Sequence, residues 1–146
     1  MLEVIAKGTR QTAVVHRLIK AIEAWIASDP ALPLQLRVEA PLDLGPSDEP
    51  EPDLALVCRR DDDYWHAHPT AAESTLVIEV AESSLAYDLQ AKASLYAAAG
   101  IPQYWVVDVQ EPRLHVVLDA ELSPDTACLL ALRREARQLI RQLPGA

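Results

Sequence analysis

The sequence predicts an α/β (α+β) fold, a mixed β-sheet flanked by helices. Three observations carry that expectation. A helical period runs through residues 11–28, three short strands follow, and a second helical stretch, 86–99, separates the third of them from a fourth. A helix, then strands interrupted by one helix, then a hairpin is the order of a layered helix-on-sheet architecture.

Each element has its own local reason. Val14, Val15, Leu18, Ile19, Ile22, Trp25 and Ile26 recur at three- and four-residue intervals, which makes residues 11–28 an amphipathic helix. Asp29-Pro30 stops it, because the residue before a proline is pushed out of the helical region. Residues 34–40, LQLRVEA, alternate like a half-buried strand. Residues 41–52 are acidic and proline-rich and read as a loop. LALVC, residues 54–58, is a second strand, and residues 59–73 form a long connection.

TLVIEV, residues 75–80, is a third strand, and AESS after it is a short turn. The helix over residues 86–99 is closed by Gly100 at the position that favours a left-handed residue, with Pro102 soon after. QYWVVDV is a fourth strand, paired as a hairpin with RLHVV through the turn at residues 110–112. Residues 126–143, rich in Ala, Leu, Arg and Gln, read as a final helix.

At 146 residues the chain is long enough for one domain with a real core and too short for two comfortable ones, so residues 1–146 are read as a single domain. Phe is absent, so the core must come from Leu, Val, Ile and Ala with three Trp and four Tyr. No apolar stretch approaches the roughly 20 residues that span a bilayer, and no signal pattern opens the chain. The expectation is a cytoplasmic protein without a membrane partner. Cys58 and Cys128 lack metal-ligand spacing and read as two thiols. The formal net charge of −9 argues against tight, non-specific nucleic-acid binding by the whole surface. It leaves room for a local basic patch or for a metal that reverses the field in a cleft.

Chemistry concentrates at strand ends. Asp53 precedes LALVC, Glu79 lies inside TLVIEV, and Asp108 ends the apolar part of QYWVVDV. The two-residue period of a strand puts Thr75, Val77 and Glu79 on one face. If Asp53 and Glu79 share that face on adjacent strands, their oxygens can meet within metal-ligand distance, and hard oxygen donors suit Mg²⁺ or Mn²⁺. The plain alternative is a set of ordinary strand-end carboxylates capping turns. Asp88, Lys92 and Tyr96 follow at four-residue spacing and stack on one helical face. They are either a surface ion pair beside a half-buried Tyr or a stripe that aims Lys92 at the carboxylates.

Taken together, PDLALV and LVIEVAESSLAYDLQAKASLYAAAGIPQYWVVDV resemble the Uma-type restriction endonuclease family, a bacterial branch of the PD-(D/E)XK nuclease superfamily. The matching positions are Pro52-Asp53, Ile78-Glu79-Val80, Ser83 or Ser84, Asp88, Lys92, Tyr96 and the run from Gly100 to Asp108. The resemblance covers residues 52–118 and extends to His16 with its helix and to the LEVIAKG opening. It implies a restriction-endonuclease-like core and Mg²⁺- or Mn²⁺-assisted hydrolysis of DNA phosphodiesters. Asp53 and Glu79 would ligate the metal, with the Val80 backbone carbonyl as a further ligand. Other superfamily members carry a lysine two positions after the glutamate; here that position is Ala81, so Lys92 would replace it. Glu39, Asp88, Tyr96 and Asp108 are expected in supporting roles, DNA as the partner, and a homodimer because the apolar C-terminal helix needs a surface to cover. A catalytically silent interaction module on the same fold, and a hydrolase of small phosphate esters, are the alternatives.

Overall fold

The apolar runs become strands, and their pairing decides which side chains meet. The computed structural model describes residues 7–121, 123 and 127–145. The described residues form one sheet with the strand order β1 (Leu34–Val38), β2 (Leu54–Cys58), β3 (Ser74–Ala81), β4 (Gln103–Asp108) and β5 (Arg113–Asp119). Neighbours run antiparallel except β3 and β4, which are parallel. A parallel pair needs a crossover. It is built from α2 (Leu85–Tyr87), a π-helical turn (Asp88–Lys92) and α3 (Ala93–Ala99). Helix α1 (Thr9–Ser28) precedes the sheet and α4 (Leu129–Arg141) follows it.

Strand alternation sorts the core onto the two sheet faces. Leu76, Ile78 and Val80 of β3 point into a cluster shared with Val14, Leu18 and Ile22 of α1 and Leu132 and Ile140 of α4. Val77 and Ala81 point the other way, into a cluster with Tyr96, Tyr104, Val106 and Leu42. Glu79 has the parity of Val77, so it faces the crossover helix. All six residues of β4 are buried, as expected for a central strand covered on both sides.

Several boundaries differ from the sequence reading, each for a physical reason. The first helix begins at Thr9, two residues earlier than Gln11. The first strand ends at Val38 because Glu39 turns the chain in a left-handed conformation, φ 49°. Glu39 therefore follows the strand on which it was expected.

The helix over residues 86–99 is not uniform. The Tyr104 hydroxyl donates to the Asp88 carbonyl at 2.9 Å, engaging an acceptor that a regular α-helix reserves for residue 92. The π turn spans that point. Gly100 closes the helix in the left-handed region at φ 84°, as its position predicted. The expected start of the last helix at Thr126, and the opening residues of LEVIAKG before Lys7, lie outside the described residues.

Helix α4 buries Leu129, Leu132, Ala136 and Ile140 beside α1. Its apolar side, the ground for expecting a homodimer, is thus covered by the chain's own core. Arg133 fastens it further, donating to Gln103 Oε1 at 2.9 Å and to Asp119 Oδ1 at 3.0 Å, with its guanidinium over the buried Trp105 ring. No described helix is long and apolar enough to cross a membrane.

Leu18, 1 % exposed, touches both helices' shared core, whereas Leu130 is 48 % exposed. Leu18→Ala is expected to lower unfolding free energy by about 2–5 kcal/mol, and Leu130→Ala by less than about 0.5 kcal/mol. Urea denaturation of the two variants beside the unchanged chain reads the contrast directly.

Candidate functional site

The β2–β3 register sets the geometry. Leu54 pairs with Ile78, so the antiparallel ladder brings Asp53, one residue before β2, opposite Glu79. The two residues interlock: the Asp53 backbone N–H donates to Glu79 Oε1 at 2.8 Å, and the Val80 backbone N–H donates to Asp53 Oδ2 at 2.7 Å. Each carboxylate is thus held by the other residue's strand. Both side chains are buried and open onto a cleft of about 620 Å³.

Two lysines answer the buried charge. Lys92 Nζ donates to Glu79 Oε2 at 2.5 Å and stands 3.5 Å from Asp88 Oδ1. Asp88 is fixed in turn by the Ser84 hydroxyl at 2.8 Å. Lys7, from the residue pair that precedes α1, donates to Asp53 Oδ1 at 3.0 Å and pairs with Glu39. The Glu39 backbone N–H donates to the Asp53 carbonyl at 3.0 Å, which anchors the left-handed residue next to the cleft. Gln11 of α1 donates its amide to the Val80 carbonyl at 2.8 Å.

The electrostatics follow from burial and neighbours. Burial pushes the Glu79 carboxyl up to about 7; the Lys92 ammonium pulls it down, and the Asp53 carboxylate adds to the rise. For Lys92, burial works against the charged form, but Glu79 and then Asp88 outweigh it and hold the amine above its ordinary value. Lys7 behaves alike, with Glu39 and Asp53 outweighing burial. The Tyr96 hydroxyl, pushed up first by burial and then by Glu79, stays protonated and lies 3.4 Å from Glu79 Oε2.

The donor set has the chemistry of a hard-cation site: two carboxylates and the Val80 carbonyl, all oxygen. Among the described residues no three His, Cys, Asp or Glu side chains converge as a metal-ligand group. A cation here would therefore hold few protein ligands and keep several waters, which suits Mg²⁺. All three donor groups already accept a protein hydrogen bond, Asp53 from Lys7, Glu79 from Lys92 and Val80 from Gln11. The lysine ammonium groups supply the positive charge that a metal would otherwise bring.

Of the residues singled out in the sequence, Asp53, Glu79, Val80, Lys92, Asp88 and Glu39 all line this cleft. Tyr96 reaches it through Glu79. Asp108 does not: its Oδ1 accepts the Gln110 and Glu111 backbone N–H groups at 3.0 and 3.4 Å, which caps the β4–β5 turn. Lys7, Gln11 and Glu51 line the cleft without having been singled out, and Ser84, one of the two serines at the motif's turn, lines it as well. Lys7 and Gln11 come from the far end of the sequence, and only the packing of α1 against the sheet brings them in. The spacing of Lys7 and Gln11 carried no signal beyond that of common surface residues.

The family model Uma2, described as "Putative restriction endonuclease", matches residues 1–141 of this chain, and the chain belongs to that family. No curated protein matches the chain. The mixed sheet with flanking helices is compatible with the restriction-endonuclease-like fold.

The position of Glu79 has a consequence for stability. Its folded-state pKa, about 7, lies above the ordinary 4.5, so the folded chain binds more protons in that window. The stability this group contributes is present below about pH 4.5 and falls as pH rises towards 7. In metal-free buffer, Glu79→Gln is expected to shrink the loss of stability between about pH 5 and pH 8, read by urea unfolding at each pH. Identical pH profiles for the two proteins would mean that Glu79 is ionised across the whole range.

Proposed function

We propose, starting from this family membership, that the chain is a divalent-metal-dependent endonuclease hydrolysing DNA phosphodiester bonds at the Asp53–Glu79–Lys92 cleft. One observation supports the reading above the rest. Asp53 and Glu79, 26 residues apart in sequence, interlock side chain to backbone and share a cleft with the Lys92 ammonium. Two like charges are held together there at an energetic cost that a purely structural role would not require.

Asp53, Glu79 and the Val80 carbonyl are the groups that would hold Mg²⁺ or Mn²⁺. Bound there, the ion supplies Lewis-acid polarisation of the phosphoryl oxygens. The chain's own residues do the rest. The interlocked backbone bonds keep both carboxylates in one orientation, so the site needs little rearrangement when substrate arrives. Lys92 stays protonated and places positive charge where negative charge grows on the phosphoryl group. Ser84 and Asp88 position Lys92, and Tyr96 fixes the second oxygen of Glu79. Lys7, 40 % exposed, exchanges its carboxylate partner for a phosphate oxygen as DNA enters.

A second reading draws on the same contacts. All three donor groups are already engaged by Lys7, Lys92 and Gln11, an arrangement that also suits an interaction module that has no metal. Calorimetric titration with Mn²⁺ separates the two, since the module gives no binding heat. Parallel assays on plasmid DNA and on nucleotides distinguish the endonuclease from a hydrolase of small phosphate esters.

Glu79→Ala and Lys92→Ala are each expected to reduce Mn²⁺-dependent plasmid cleavage by roughly 100-fold or more, with unchanged far-ultraviolet circular dichroism. Cleavage retained by the Glu79 variant would sink the assignment.

A further inference from the structure

The chain's charge is acidic overall and unevenly distributed. Of its 13 Lys and Arg residues, eight fall at positions 7–20 and 133–141: Lys7, Arg10, Arg17 and Lys20, then Arg133, Arg134, Arg137 and Arg141. From Lys7 through the end of α1 the only carboxylate is Glu23, and α4 carries only Glu135. The two helices with Lys7 thus hold an excess of six positive charges in a chain whose net charge is −9.

This excess is displayed on one surface. Both helices bury their apolar sides in the same core cluster, over the same sheet face. Arg10, His16, Arg17 and Lys20 are exposed on α1, and Arg134, Arg137 and Arg141 on the outer side of α4. Among the described residues none of these cations has an ion-pair partner; the ion-paired ones are Lys7, Arg60, Lys92 and Arg133. A shallow groove of about 510 Å³ runs along α1, lined by Lys7, Thr9, Thr12, His16, Arg17 and Lys20. Lys7 also lines the cleft that holds Asp53 and Glu79, so groove and cleft adjoin through one residue.

We propose that the outward side of α1 and α4 is the surface on which the sugar–phosphate backbone of duplex DNA docks, running along the α1 groove to the Lys7 edge of the Asp53–Glu79 cleft. This inference rests on the nuclease reading for its choice of polyanion. Unpaired Lys and Arg bind phosphates through charge and counterion release, and Thr9 and Thr12 add hydroxyl donors of the kind that fix register on a backbone. An anionic membrane surface is the competing polyanion. It fits less well, because a membrane-bound amphipathic helix needs an apolar side to insert, and the apolar sides of α1 and α4 are buried. The segregation also resolves an apparent conflict: the acidic balance belongs to the rest of the chain and keeps DNA off it, while the helical layer attracts it.

The test is binding of the full chain to a fluorescent 20-base-pair duplex in EDTA, followed by anisotropy at increasing salt. Each phosphate contact contributes about 0.9 to the slope of log affinity against log salt. Arg17→Glu with Lys20→Glu is expected to weaken binding at least tenfold at low salt and to flatten the slope by about 2. Arg137→Glu with Arg141→Glu, on the other helix, should weaken it as well and serves if the first pair does not fold. Unchanged affinity and slope in folded variants of both pairs overturn the proposal, as does binding to phosphatidylserine vesicles without binding to duplex. Because EDTA prevents cleavage, the two readings fail separately. A chain that binds through these helices and never cuts overturns the nuclease reading alone. One that cuts through Glu79, with affinity indifferent to both charge reversals, overturns this surface alone.

Discussion

The structure around the cleft depends on one constraint: two carboxylates face each other at the open end of the β2–β3 ladder. Asp53 and Glu79 are 8 % and 2 % exposed, and neither could sit there without donors. Each takes a backbone N–H from the other's strand. The same two bonds extend the ladder beyond Leu54 and hold the carboxylates in register. A one-residue slip would turn Glu79 into the core face occupied by Ile78 and Val80, where no donor waits. Site and sheet register therefore stabilise each other.

The remaining charge is met from two elements that approach the ladder from different directions. The crossover helix brings Lys92, and the start of α1 brings Lys7 and Gln11. The crossover is obligatory, since β3 and β4 run parallel and must be joined over the sheet. Its π turn coincides with the segment from Asp88 to Lys92, where Tyr104 of β4 captures the Asp88 carbonyl. Strand, helix and site are thus coupled through a tyrosine that is fully buried.

The same layering separates the charges. The helices on one sheet face carry unpaired cations, while the carboxylates concentrate in the loops and around the cleft. An acidic protein can in this way present a basic surface. What matters for a polyanionic partner is the local field along α1 and α4, which the net charge of −9 conceals.

Much of the fold was legible because its signals are local. The three- and four-residue apolar period of α1, the runs of β2, β3 and β4, and the Gly100 stop each report on a few neighbouring residues, and each element formed within a few residues of its expected bounds. The grouping of Asp53, Glu79 and Lys92 was legible through the family's motif spacing, with Glu39, Asp88 and the Val80 carbonyl in the same cleft. Asp108 lay in the same pattern yet caps a turn, since a strand-end carboxylate looks identical in sequence whichever way it is used. The π turn and the left-handed Glu39 left no mark in the sequence, because the contacts that accompany them, Tyr104 with the Asp88 carbonyl and Lys7 with the Glu39 carboxylate, span 16 and 32 residues. By itself, then, the sequence determined the elements, the core residues and the motif. Only the tertiary structure decided that Lys7 and Gln11 reach the carboxylates and that six exposed Lys and Arg residues of α1 and α4 share one layer, because those depend on how α1 and α4 lie across the sheet.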